Sequence, residues 1–124
     1  MQSFIIKGKL DGLNKVINVN RSNVHAGNNL KKKNEGIVIY YARLCGLKPI
    51  EKYPVKVKIN WYEPNRLRDW DNVMSAKKFI FDGLQKIGIL KGDGQKYINH
   101  IEECQHIDRE NPRIEIEFVK GVEE

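Results

Sequence analysis

Alternating apolar and polar residues predict four strands. The clearest covers 53–62. Its apolar face holds Val55, Val57, Ile59 and Trp61, and its polar face Lys56, Lys58, Asn60 and Tyr62. Residues 3–10 begin with aromatic and β-branched side chains and predict a first strand. Residues 97–107 and 113–119 predict two more, with Asn111-Pro112 in a hairpin loop between them.

Apolar residues at helical spacing predict two main helices. One begins at Asn29 or Asn34 and ends at Gly46, a typical C-terminal cap. The other covers about 71–87, with Gly88 as its cap. Before them, a short helical turn and an Asn-rich loop are expected over 13–29. Together the elements predict an α+β fold with a small mixed sheet.

The second helix has more than one apolar side. Its core face comprises Val73, Ala76, Ile80, Leu84 and Ile87, and its polar stripe Asp71, Ser75, Lys78 and Asp82. Met74 and Phe81 form a second apolar flank. A helix that is apolar on two sides is usually covered twice, so a partner subunit is expected on this flank.

Composition indicates one globular domain, residues 1–124, with 40% hydrophobic and 31% charged residues. No apolar run approaches the ~20 residues of a membrane span, and no signal peptide is visible. Cys45 and Cys104 lack metal-ligand spacing and are expected to be reduced thiols, which favours a cytoplasmic protein. No phosphate-binding glycine motif of a nucleotide cofactor site appears.

The positive charge is concentrated in the first half of the chain. Residues 1–63 hold twelve Lys/Arg and four Asp/Glu, whereas residues 64–124 hold ten and twelve. Such a basic region is typical of a polyanion-binding surface. The candidate phosphate contacts are Arg21, Lys31, Lys32, Lys33, Arg66 and Arg68. The alternative for the residues up to Lys33, an ordinary solvated loop and first helical turn, is about equally favoured.

Three aspartates stand out in this basic chain. Asp69 and Asp71 lie two apart before the second helix, and alternate residues of extended chain point to the same side. Trp70 between them is expected to anchor the loop in the core. Asp93 lies between Gly92 and Gly94 beyond the helix. Capping of the helix alone would explain Asp71, so Asp69 carries more of the argument.

Carboxylates grouped in this way suit one chemistry. Mg²⁺ held by a few carboxylates activates water and neutralises charge on a phosphodiester. A lysine nearby adds charge to the transition state. Lys78 lies seven residues from Asp71, close to two helical turns, whereas Lys77 falls toward the core side. An ion pair of Lys78 with Asp82 at i,i+4 is the ordinary alternative, and both roles can coexist.

The motifs, taken in order, resemble those of the RusA-type Holliday junction resolvases. They are Arg68-Asp69-Trp70-Asp71-Asn72, then Lys77-Lys78 before Asp82-Gly83-Leu84, then Gly88 to Gln95 with Asp93. The resemblance covers residues 66–95 by motif. It implies a homodimeric endonuclease that nicks four-way DNA junctions symmetrically with Mg²⁺, or Mn²⁺ in its place. Such proteins are small α+β domains encoded by bacteria and their prophages.

By position, the resemblance implies that Asp69, Asp71 and Asp93 bind metal and that Lys78 is catalytic. The interval from Asp71 to Asp82 is about three residues longer than in well-known members, which leaves Lys77 as an alternative. Where many members have an acidic residue before the last aspartate, this chain has Gly92. Two other functions stay open: a non-catalytic DNA-binding module, and a nuclease for flaps or other branched DNA.

Overall fold

A computed structural model of the protein describes residues 2–122. Its elements in chain order are β1 (Gln2–Lys7), α1 (Leu13–Ser22), α2 (Val24–Leu44), β2 (Val55–Glu63), α3 (Trp70–Met74), α4 (Lys77–Lys86), β3 (Ile98–Ile107) and β4 (Arg113–Lys120). The α+β class is confirmed, with α1 in addition to the two expected helical regions. Within the described residues, no helix is both long enough and apolar enough to cross a membrane.

The four strands form one mixed sheet in the order β1-β4-β2-β3. β4 is antiparallel to both β1 and β2, whereas β2 and β3 are parallel. The predicted hairpin between β3 and β4 is therefore wrong, because the two strands lie on opposite sides of β2. Alternation along a strand identifies the strand and its buried face, but it does not identify the neighbouring strand.

The core lies between one face of the sheet and the helices. β2 alternates strictly between buried and half-buried residues, as predicted. The buried strand residues include Phe4, Ile6, Val57, Ile59, Trp61, Ile114, Ile116 and Phe118, and the helices add Val38, Ala42, Val73, Ile80 and Leu84. Within the described chain, no helix covers the opposite face, where the side chains of β2 are half-buried.

Helical structure begins earlier than the sequence pattern predicted. The segment expected as an Asn-rich loop belongs instead to α1 and α2, which meet at Asn23. Asn23 is extended, and its side chain accepts hydrogen bonds from the backbone N–H groups of His25 and Ala26. An asparagine that suggested a loop thus caps a helix, which is the other local structure that asparagine favours. Gly46 ends this region with φ of 70°, as predicted.

The second predicted helix is divided into α3 and α4, with a break at Ser75 and Ala76. The Ser75 hydroxyl donates to the carbonyl of Asn72 at 2.9 Å. Such a side-chain bond to the backbone competes with the regular helical ladder. Gly88 ends α4 with φ of 73°, as predicted.

The second apolar flank is covered by the chain itself. Phe81 is 6% exposed and belongs to the core, and Met74 packs against the same core. The interpretation of this flank as a surface for a partner subunit is therefore wrong.

Candidate functional site

A buried ion pair fixes the loop that connects β2 to α3. The Arg68 guanidinium donates to both carboxylate oxygens of Glu63, at 2.7 and 2.8 Å, and to the carbonyl of Leu10 at 3.0 Å. Glu63, at the end of β2, is 6% exposed. A two-pronged arginine–carboxylate contact fixes geometry as well as charge. The sequence had suggested Arg68 as a phosphate contact for DNA. In the structure its guanidinium instead holds the loop against the body of the protein.

The next residue, Asp69, is the N-terminal cap of α3. Its side chain accepts a hydrogen bond from the backbone N–H of Asn72 at 3.0 Å. Asp71 lies in the first turn of this helix and is exposed. Capping by Asp71, the ordinary explanation for that residue, is therefore wrong, because the cap lies two residues earlier. Trp70 is 50% exposed, so its expected role as a core anchor is also wrong.

Asn72 connects α3 to α1. Its side-chain oxygen accepts a hydrogen bond from the backbone N–H of Asn14, at 3.1 Å. Gly12 precedes α1 and has no side chain that could cap it, so Asn72 supplies that bond from another helix. A Cβ at Gly12 would lie 2.2 Å from the same oxygen. The first turn of α3 is therefore packed closely against the start of α1.

Lys78 joins two segments of the candidate site. Its ammonium lies 3.3 Å from a carboxylate oxygen of Asp82 and 3.8 Å from one of Asp93. The Asp82 hydrogen bond and charge, aided by Asp93, raise the pKa of Lys78 above its ordinary value. Lys78 is therefore a cation at neutral pH, suited to stabilising negative charge rather than to accepting a proton. The predicted i,i+4 pair with Asp82 is confirmed.

Lys77 points elsewhere. Its ammonium lies 2.7 Å from Glu103 on β3, which also accepts a hydrogen bond from the Trp61 indole at 3.0 Å. The structure thus separates the two lysines: Lys77 ties α4 to the sheet, and Lys78 faces Asp93. This arrangement favours the lysine that helical periodicity had selected.

The ion pairs continue from Asp82 onto α2. Lys31 lies 3.7 Å from Asp82 and 3.8 Å from Glu35, and Lys86 binds Glu35 as well. Glu35 is 1% exposed. The sequence reasoning missed Glu35, although its i,i+4 spacing to Lys31 was visible. We call the five residues Glu35, Lys31, Asp82, Lys78 and Asp93 the charge ladder.

The other predicted phosphate contacts differ in their surroundings. All four of Arg21, Lys32, Lys33 and Arg66 are exposed, but Lys33 lies 3.4 Å from Asp11. The other three make no ion pair with a described residue. Of the basic run on α2, Lys32 is accordingly the residue most open to a polyanion.

The predicted metal ligands have suitable chemistry but are not assembled. Asp69, Asp71 and Asp93 are exposed carboxylates, and oxygen ligands of this kind suit Mg²⁺. Within residues 2–122, however, no group of three or more His, Cys, Asp or Glu side chains is arranged to hold a metal ion. The structure brings Asp93 to Lys78, and the three-aspartate site stays a prediction.

Comparison with known proteins adds no relative: no protein-family model matches the chain, and no curated protein matches it. The observations that bear on function are therefore the ordered motifs and the contacts between them. Among those contacts, the pair between Lys78 and Asp93 connects positions that the sequence pattern had singled out separately.

Proposed function

We propose that the protein is a Mg²⁺-dependent, structure-specific endodeoxyribonuclease of the RusA type, which resolves Holliday junctions by paired phosphodiester hydrolysis. The observation that carries the proposal is the contact of Lys78 with Asp93 at 3.8 Å. It brings together the lysine and the last aspartate of the motif set, as the resemblance implies for a catalytic site.

The roles of the residues follow from their charge and position. Asp69, Asp71 and Asp93 would hold the metal, which when bound supplies an activated water and neutralises phosphate charge. Lys78, kept protonated by Asp82 and Asp93, would stabilise charge on the leaving oxygen. The proposal requires Asp69 and Asp71 to approach Asp93 when metal and substrate bind. Asp69 would then combine helix capping with metal binding.

The proposal includes a homodimer, because paired cuts across a junction need two active sites related by a two-fold axis. It also includes a cytoplasmic setting in a bacterium or its prophage, with a role in DNA recombination and repair. Light scattering on the purified protein, alone and with a four-way junction, tests the dimer. A monomer in both samples contradicts this part of the proposal.

Cleavage of a synthetic four-way junction tests the activity, with linear duplex and flap DNA as controls. Mg²⁺ and Mn²⁺ are tried separately. We expect symmetric nicks in the junction and little cutting of duplex. Preferred cutting of the flap would favour the alternative nuclease, and binding without any cutting would favour the non-catalytic module.

Asp69→Asn and Asp93→Asn test the assigned carboxylates. Asparagine caps helices about as well as aspartate, so Asp69→Asn keeps the fold of α3 while removing a metal ligand. We expect each variant to lose cleavage by at least about a hundredfold, in line with the loss of charge stabilisation at a transition state, and to keep junction binding. Asp108→Asn, which changes a carboxylate bound by Arg113, is the control. Full activity of both site variants would refute the assignment.

A further inference from the structure

A wide groove lies at the end of the sheet where β2 and β3 begin and β4 ends. The loop after α2, the residues before β3 and the segment after β4 form its walls. Its volume is about 1660 Å³, whereas pockets for single small ligands are about 300–1,000 Å³. The groove is therefore of a size that suits an extended chain better than a compact small molecule.

The rim of this groove is basic. Lys48, Lys52 and Lys96 line it and are exposed, and none of them makes an ion pair with a described residue. Glu51 is the one acidic residue among the described residues that line the groove. Unpaired lysines around a concave surface attract a polyanion, because their charge is not already neutralised by the protein.

The wall of the groove carries a tyrosine held in a fixed position. The Tyr53 hydroxyl accepts a hydrogen bond from the backbone N–H of Lys91 at 3.0 Å. The ring of Tyr97 packs edge-on against Tyr53 at 5.3 Å between ring centres, and Lys91 lies 5.7 Å from the Tyr53 ring centre. Aromatic rings combined with cations are the typical means of binding unpaired nucleotides, since bases stack on the ring while lysines contact phosphates.

One short loop of the chain joins the groove to the charge ladder. Asp93 lies between Lys91, which contacts Tyr53, and Lys96, which lines the groove. Gly92 packs on the Tyr97 ring so closely that a Cβ there would lie 2.6 Å from it. The same short loop therefore carries both the candidate catalytic aspartate and part of the groove wall.

We propose that this groove binds a single strand of DNA with its bases unpaired and leads it to Asp93 and Lys78. That the strand leads to Asp93 and Lys78 rests on the proposed nuclease function. Binding of the strand in the groove does not require catalysis. Lys48, Lys52 and Lys96 would contact phosphates, and Tyr53 would stack on a base.

Binding is tested without metal, on the Asp93→Asn protein, by fluorescence anisotropy of labelled oligothymidine in a salt series. The triple variant Lys48→Gln/Lys52→Gln/Lys96→Gln is compared with Lys7→Gln/Lys9→Gln/Arg109→Gln, which removes the same charge from exposed residues outside the groove lining. We expect the groove variant to bind about tenfold more weakly and to reduce the salt slope by about 2, near 0.7 for each lost phosphate contact. Equal losses in both variants would overturn the proposal.

Photocrosslinking locates the strand. Oligothymidine carrying 5-iodouracil is irradiated with the protein, and the attached peptide is identified by mass spectrometry. We expect attachment at Tyr53; attachment at Tyr62 on the uncovered face of the sheet instead would overturn the proposal. These measurements need no cleavage, so the two proposals can fail separately. A wild-type protein that cuts no DNA, together with strand binding in the groove, refutes the nuclease and keeps the groove. A wild-type protein that cuts the junction, without strand binding in the groove, keeps the nuclease and refutes the groove.

Discussion

Glu35 is a charged side chain in the interior, on the inner side of the charge ladder. It is 1% exposed, and its Oε2 accepts no hydrogen bond from a described residue, although Lys31 lies 3.8 Å away. Burying a carboxylate is costly unless its partners compensate. Here the partners, Lys31 and Lys86, keep about half of their side-chain surface in solvent. The burial of Glu35 therefore fixes two lysines of different helices at one place.

We expect Glu35→Gln to lower the free energy of unfolding by about 1–2 kcal/mol. This is less than the ~3–5 kcal/mol for breaking a fully buried pair, because both lysines can regain water. Urea unfolding measures the change. Glu102→Gln, which breaks an exposed pair with Lys56, is the control and should cost less than about 0.5 kcal/mol. Equal effects of the two variants would contradict a structural role for the buried carboxylate.

At the scale of elements, the parts that were predicted correctly depend on local patterns. β2 was predicted from its alternating apolar and polar residues, and its burial alternates in the same way. Gly46 and Gly88 were predicted as helix ends because glycine adopts positive φ readily, and both do so. The early start of the helices was missed because Asn23 suits a loop and a cap equally well. α3 begins at Trp70 rather than at about Asp71, and its cap is Asp69, two residues before the aspartate that was expected to cap it.

The candidate site was predictable only in part for a similar reason. Helical spacing from Asp71 selected Lys78 over Lys77, and Lys78 is the lysine that contacts Asp93, although Asp71 lies on α3 and both lysines lie on α4. The pairing of Lys31 with Asp82 joins α2 to α4, and the contact of Asn72 with Asn14 joins α3 to α1. Contacts between elements depend on how the chain packs, and no pattern within one element reveals them.

The packing of the start of α1 against Asn72 of α3 gives a test at this scale. We expect Gly12→Ala to destabilise the protein by about 2 kcal/mol, because its Cβ would meet the Asn72 side chain at 2.2 Å and something must shift. Hydrogen exchange should rise in the first turn of α1, and thermal unfolding measures the loss. Gly36→Ala, in α2 with nothing within 4 Å of the new Cβ, should instead stabilise by about 0.5–1 kcal/mol. A neutral Gly12→Ala would contradict the close packing.

For the molecule as a whole, Asp11 makes the stability of the fold depend on pH in the acid range. Partial burial alone would raise the pKa of this carboxyl, but the Asn34 amide, with Lys33 and Lys15, outweighs it and lowers the pKa below 3.8. A carboxyl whose pKa is lower in the folded state stabilises the protein above its unfolded pKa and loses that contribution as pH falls through the folded value. Asp11 therefore contributes at neutral pH and not in strong acid.

Urea unfolding of the wild type and Asp11→Asn at several pH values measures this contribution. We expect the wild type to be the more stable protein at pH 7, and the difference to shrink as pH falls below about 4, near the ordinary pKa of an aspartate. Glu110→Gln, which changes an exposed carboxylate, is the control and should track the wild type. A difference independent of pH would show that Asp11 acts through shape rather than charge.

The strand order has a consequence for how the protein is made. β4, the last strand in the chain, lies in the interior of the sheet between β1 and β2, and it is the one neighbour of β1 within the described chain. Pairing of Gln2 with Phe118 closes a very long loop, which is slow because distant contacts form late. During synthesis on the ribosome, β1 has no partner strand until β4 emerges. Until then, the edge of β2 that pairs with β4 is also unpaired. The nascent chain is then most exposed to aggregation just before β4 emerges.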